Sequence, residues 1–137
     1  MPRLRASATS ALLVSQLPAD LRATIVTHSP SVAVALVAHP SVDVILIGGQ
    51  LFKHSIVTGV HPVAGLTTGN FEEAGIKRAL AGRAAETVVL ASSSKLNAAS
   101  PFVIGELALA QTIVVEEATD AALTKPIEAA GVTVVRA

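Results

Sequence analysis

Short runs rich in β-branched residues alternate along the chain with Ala-rich stretches of helical character. "RATIVT" (22–27) and "VDVILIGG" (42–49) read as strands. Between them, "SPSVAVALVAHP" has the Ser-Pro start of a helix, with Ser29 as N-cap and Pro30 in the first turn. A crossover this short predicts parallel neighbours joined right-handedly. The alternation returns later: "NFEEAGIKRALAGRAAE" predicts a helix, "TVVLA" and "QTIVVE" strands, "TDAALTKPIEAAG" a helix and "VTVVRA" the last strand. Pro126 removes a backbone donor, so the last helix is expected to begin there rather than run through it, and Gly131 to end it. No clear element is predicted from 51 to 68. The pattern predicts an α/β fold, a mostly parallel sheet flanked by helices, in a single domain spanning 1–137.

Composition narrows the function classes. The chain has 137 residues, 51% hydrophobic, with three Phe and neither Trp nor Tyr, enough for one aliphatic core. Ten basic side chains balance ten acidic ones, so no global field would hold the chain on a polyanion. Without cysteine there is no disulfide framework and no thiolate nucleophile, which is compatible with a reducing cytosol. Four histidines lack ligand-like spacing, so neither a metal nor another cofactor is expected. The opening "MPRLRASATSALLVSQLP" places two arginines before a modestly apolar run. Ser7, Thr9, Ser10, Ser15 and Gln16 interrupt that run, which favours an amphipathic helix over a signal peptide. No apolar stretch approaches the ~20 residues of a membrane span. A cytoplasmic protein without a membrane partner is expected.

In a parallel sheet, ligands bind beyond the carboxyl ends of the strands, where loops converge and helix N-termini point inward. The loops there supply Thr27-His28-Ser29, then Gly48-Gly49-Gln50 with Lys53 and His54 close by, and finally Ser92-Ser93-Ser94-Lys95. Hydroxyls, glycine-exposed N–H groups and two lysines suit a phosphate. Each has a plainer role as well: Gly48-Gly49 as a turn, Ser29 as a helix cap, Glu72 and Glu73 as complements to a helix dipole. A lysine directly after three serines fits an anion better than it fits a core. Adjacent glutamates cannot share a helix face, so at most one of Glu72 and Glu73 enters a crevice.

These loops, in this order, resemble the C-terminal effector-sensing domain of DeoR-type bacterial transcriptional regulators. The resemblance rests on Thr27-His28-Ser29 after a strand, on "VILIGGQL", on Gly65-Leu66-Thr67 followed by Asn70, Glu73 and Ala74, on Lys77-Arg78, and on "LASSSKL". It covers nearly the whole chain from about residue 5. That fold is similar to A-type ribose-5-phosphate isomerase and the coenzyme A transferases. The resemblance implies a homo-oligomeric repressor's sensor for a phosphorylated sugar, with DNA read only through a winged helix absent from this chain. It implies ligand contacts by Thr27, Ser29, the backbone at Gly48 and Gly49, Lys53, Gly65, Thr67, Thr68, Glu73, Ser94 and Lys95.

The chain departs from the family pattern in two places. The first phosphate loop, Asp-x-Gly-Thr-Thr in the family, is replaced by residues 5–9, leaving Ser7 and Thr9 as hydroxyl donors. Ahead of Thr58, a helix and a strand of the family are missing from the sequence; either this is a natural deletion, which would leave the sheet one strand short, or the sequence omits a segment. Two alternatives stay open: an isomerase-like enzyme on sugar phosphates, with Glu73 as base and Lys95 as electrostatic partner of an enediolate, and a degenerate sensor without ligand.

Overall fold

The computed structural model describes residues 13–47 and 58–137. Its backbone clusters into two compact units, Met1–Ser55 and Ile56–Ala137. In the first unit, β1 (Ala23–Thr27) and β2 (Val42–Leu46) pair in parallel, from Ala23 opposite Val42 to Thr27 opposite Leu46. The helix between them, α1 (Pro30–Leu36), starts as its sequence dictates. The Ser29 hydroxyl accepts from the Val32 N–H, and Pro30 occupies a first-turn position where its missing donor costs nothing. The Ser29 N–H in turn donates to Thr27 Oγ1 at 3.0 Å, which fixes the turn from strand to helix. Val32 and Leu36, one helical turn apart, are the buried side chains of α1.

The second unit holds two three-stranded sheets. Strands β5 (Val88–Leu90), β7 (Thr112–Val115) and β8 (Thr133–Arg136) form a parallel sheet in the order β5-β7-β8. Strands β3 (Thr58–His61), β4 (Gly65–Thr68) and β6 (Phe102–Gly105) form an antiparallel one in the order β3-β4-β6. Two helices complete the unit, α2 (Phe71–Arg83) and α3 (Ala121–Ala129). The core is aliphatic, with Val60, Leu66, Ala74, Leu96, Ile104, Ile113 and Ile127 in one cluster. The α/β class with parallel pairing and flanking helices therefore stands.

Three expectations are corrected. The stretch read as having no clear element carries β3 and β4, a hairpin closed by His61, whose Nδ1 accepts from the N–H groups of Val63 and Ala64 at 3.0 and 3.1 Å. Strand β6 went unpredicted, being four residues long and bounded by Pro101. Helix α3 runs through Pro126 instead of starting at it. Asp120 caps α3 by accepting from the Ala122 N–H at 2.9 Å, and the Thr124 hydroxyl donates to the Ala121 carbonyl at 3.3 Å. These bonds secure the first turn, while burial of Thr124 and Ile127 sets the inward face, so one missing ladder bond is tolerated. Gly131 ends the helix as expected. At φ +90° its N–H bonds the Glu128 carbonyl and the Val132 N–H reaches back to Ile127, the paired bonds of a Schellman motif. The direct join expected ahead of Thr58 lies outside the described residues.

The hairpin depends on the absence of a side chain at Gly59. A Cβ there would sit 2.1 Å from the Ala98 carbonyl oxygen, which is backbone and cannot swing away. Gly75, exposed on α2, has nothing within 4 Å of its would-be Cβ. Gly59→Ala is therefore expected to destabilise the protein by roughly 1–3 kcal/mol. Gly75→Ala should stabilise it by about 0.5–1 kcal/mol, because glycine loses more backbone freedom in a helix. Urea unfolding midpoints of the two variants check both signs.

Candidate functional site

Neighbouring positions on a strand face opposite ways, so β3 and β4 divide their side chains between two surfaces. Thr58 lies opposite Thr68, and Val60 opposite Leu66. These four share the surface on which α2 packs, where Val60, Leu66 and the helix residue Ala74 are buried together. The apolar pair anchors the hairpin to the core and the two threonines continue the same surface beyond it.

Lys95 comes to this surface from the parallel sheet. After β5 the chain makes a 3₁₀ turn, Ser93–Lys95, and the next residues attach to β3. Leu96 bridges to Val60 in parallel pairing, and the Asn97 N–H donates to the Val60 carbonyl at 2.8 Å. Asn97 takes φ +58°, a conformation asparagine tolerates better than most residues. The Lys95 ammonium is then held by Thr58, donating to its Oγ1 at 2.8 Å.

Helix α2 contributes the remaining charges. Asn70 caps it, its Oδ1 accepting from the Glu73 N–H at 2.8 Å. Glu72 is exposed, whereas Glu73 is only 8% exposed and makes an ion pair with Lys77 at 2.5 Å, one turn along the helix. Both charges act on Lys95. Its pKa is lowered from the ordinary 10.5, first by burial and then by the like charge of Lys77, with Glu73 pulling the other way. Thr68 is fully buried, and its Oγ1 has no hydrogen-bond partner among the described residues. A buried hydroxyl left unpaired is costly and calls for a partner.

Of the residues singled out in the sequence, Thr68, Glu73 and Lys95 gather here. Thr67 sits on the opposite surface, where its hydroxyl donates to the Gly59 carbonyl at 3.3 Å and accepts from the Ser100 N–H at 2.8 Å, tying the hairpin together. Gly65, at φ +83°, opens β4 so close to β6 that a Cβ would lie 2.3 Å from the Gly105 carbonyl oxygen. Ser94 is exposed, 3.1 Å from the Ser92 hydroxyl. Thr27 and Ser29 form the α1 cap of the first unit. Ser7, Thr9, Gly48, Gly49 and Lys53 lie outside the described residues. Sequence reasoning missed Thr58 as a site residue and took Lys77 only as part of a helix motif. The turn "HPVAG" between two short alternating segments was the available signal for the hairpin that places Thr58.

Two ammonium groups, one carboxylate and two hydroxyls are groups whose chemistry suits contact with a polar, anionic small molecule. Among the described residues no group of three or more His, Asp or Glu side chains could hold a metal, and no helix is long and apolar enough to cross a membrane. Residues 55–117, just under half of the chain, match the family model described as the DeoR C terminal sensor domain, so that stretch is similar to the sensor domain of this regulatory family. No curated protein matches the chain.

Burial of Lys95 has a consequence for stability. Below its lowered folded-state pKa, the folded and unfolded chains both carry the proton, and the cost of burying the charge is fully present. Between that value and 10.5 the unfolded chain binds more protons, so stability rises with pH. Relative to a Lys95→Met variant, wild-type protein should gain stability as the pH rises from below that lowered value toward 10.5, read as urea midpoints at each pH.

Proposed function

We propose that this chain is the effector sensor of a DeoR-type repressor and binds a phosphorylated sugar on the Thr58–Thr68 surface. The carrying observation is that Lys95, seated on Thr58, stands under the influence of both members of the Glu73–Lys77 pair, with the unpartnered Thr68 opposite Thr58 on the next strand. In this reading Lys95 and Lys77 attract the phosphate or a sugar oxygen, and Glu73 accepts from sugar hydroxyls. Thr68 bonds a ligand oxygen, which explains why a polar group is buried there without a protein partner. Thr27, Ser29, Gly48, Gly49, Lys53 and Ser94 are secondary candidates, and Ser7 and Thr9 are candidates for an altered phosphate loop.

The repressor acts in the cytoplasm as a homo-oligomer, because operators with repeated half-sites require matching protein symmetry. The effector shifts the oligomer between two geometries through its differential affinity for them, and operator binding by an attached winged helix weakens. The site binds without turnover.

A thermal-shift panel of sugar phosphates tests the reading. A ligand at about 100 times its Kd stabilises by about 2.7 kcal/mol, so at least one compound should raise the melting temperature by several degrees. Lys95→Ala should abolish that shift. Silence across the panel would favour a degenerate sensor, and turnover of ribose 5-phosphate in a coupled assay would show an enzyme instead.

A further inference from the structure

We propose that Lys95 captures its ligand covalently and reversibly, forming an imine with the carbonyl carbon of an open-chain, aldehyde- or ketone-bearing phosphosugar. This deepens the sensor reading and rests on it. An amine attacks a carbonyl only when unprotonated, and three features of the surface favour that form. The Lys95 hydrogen bond goes to a neutral hydroxyl, Thr58 Oγ1. The carboxylate of Glu73 is ion-paired with Lys77 at 2.5 Å, so its charge is shared with a second ammonium. That second ammonium also acts on Lys95 as a like charge, and a lysine desolvated or placed beside another cation is the usual form of an activated amine.

The chemistry balances without an oxidant or reductant. The Lys95 Nζ lone pair forms a C–N bond to the carbonyl carbon, the C=O π pair moves to oxygen, and a proton passes from nitrogen to oxygen to give a carbinolamine. Loss of the second N–H proton and departure of the hydroxyl as water leave the C=N bond. The Glu73–Lys77 pair is the nearby acid–base couple to carry these protons. The Thr58 hydroxyl, already bonded to the Lys95 ammonium at 2.8 Å, is the neutral group at hand for the carbinolamine oxygen. Hydrolysis reverses every step and returns the ligand unchanged, which suits a sensor.

The test uses the full chain and two probes. Glyceraldehyde 3-phosphate carries the carbonyl, and glycerol 3-phosphate has the phosphate without it. The protein is incubated with each, reduced with borohydride, and analysed by intact mass and peptide mapping. One adduct of the aldehyde is expected, at Lys95, accumulating several-fold faster than any adduct at the exposed Lys125. Lys95→Arg, checked for folding by its melting curve, should lose that adduct. Mapping of the wild-type protein decides the matter even if the variant fails to fold. Labelling spread evenly over the four lysines, or none at Lys95, overturns the imine. If a thermal shift by either probe persists in that case, the phosphosugar reading survives without it. If both shift and adduct are missing, both fail.

Discussion

Attachment of residues 96–97 to β3 is the contact on which the second unit depends. The Leu96 bridge and the bond from the Asn97 N–H to the Val60 carbonyl join the segment that leaves the parallel sheet to the first strand of the antiparallel one. Leu96 then buries beside Val60 and Leu66, so the same contact closes the core. Lys95, one residue before the attachment, reaches the same hairpin and donates to Thr58. The candidate site is thus a by-product of how two sheets are joined. Its charges are placed by backbone pairing and not by flexible side-chain choice.

The same hairpin illustrates how a strand can use its two surfaces differently. Thr67 and Thr68 are neighbours, both essentially buried, and both carry a hydroxyl. Thr67 is saturated by backbone partners from Gly59 and Ser100 and acts as a clamp. Thr68 faces the charged surface and has no partner among the described residues. Chemically identical side chains one residue apart therefore differ in their bonding, one saturated by backbone partners and one buried without a partner among the described residues. The Gly59 position serves the clamp, since the Ala98 carbonyl occupies the space a side chain would need.

Much of this was legible in the chain itself. The runs "ATIVT", "VDVIL", "TIVV" and "TVVR" are dense in β-branched residues and announce strands wherever they occur. Ser29-Pro30, Asn70 and Gly131 carry their cap functions locally, so helix ends could be read without tertiary knowledge. The hairpin was not legible for the opposite reason. "TGVH" and "GLTT" have few apolar residues, and their pairing is stabilised by contacts with residues 96–100, thirty positions away. Pro126 misled because the donor it lacks is a local property, whereas burial of Thr124 and Ile127 is a tertiary one. Glu73 and Lys95 were found through motif resemblance. Thr58 could be found only by folding the chain, since nothing in sequence connects it with a lysine 37 positions later.

Arg78 has a bearing beyond the site. Strand β6 lies at the end of its sheet and carries an irregularity opposite Leu66 and Thr67. From α2, Arg78 donates through Nε to the Ile104 carbonyl at 2.8 Å and through its terminal amino group to the Val103 carbonyl at 2.6 Å. Phe71 and Phe102 reinforce the same junction with an edge-to-face contact, centroids 5.7 Å apart. A strand end with free carbonyls is a template on which a stray chain can add and begin aggregation. Here one guanidinium occupies two carbonyls of the edge strand, beside the irregularity in its pairing. An edge strand whose carbonyls are engaged by a side chain from its own fold is a poorer template for sheet extension.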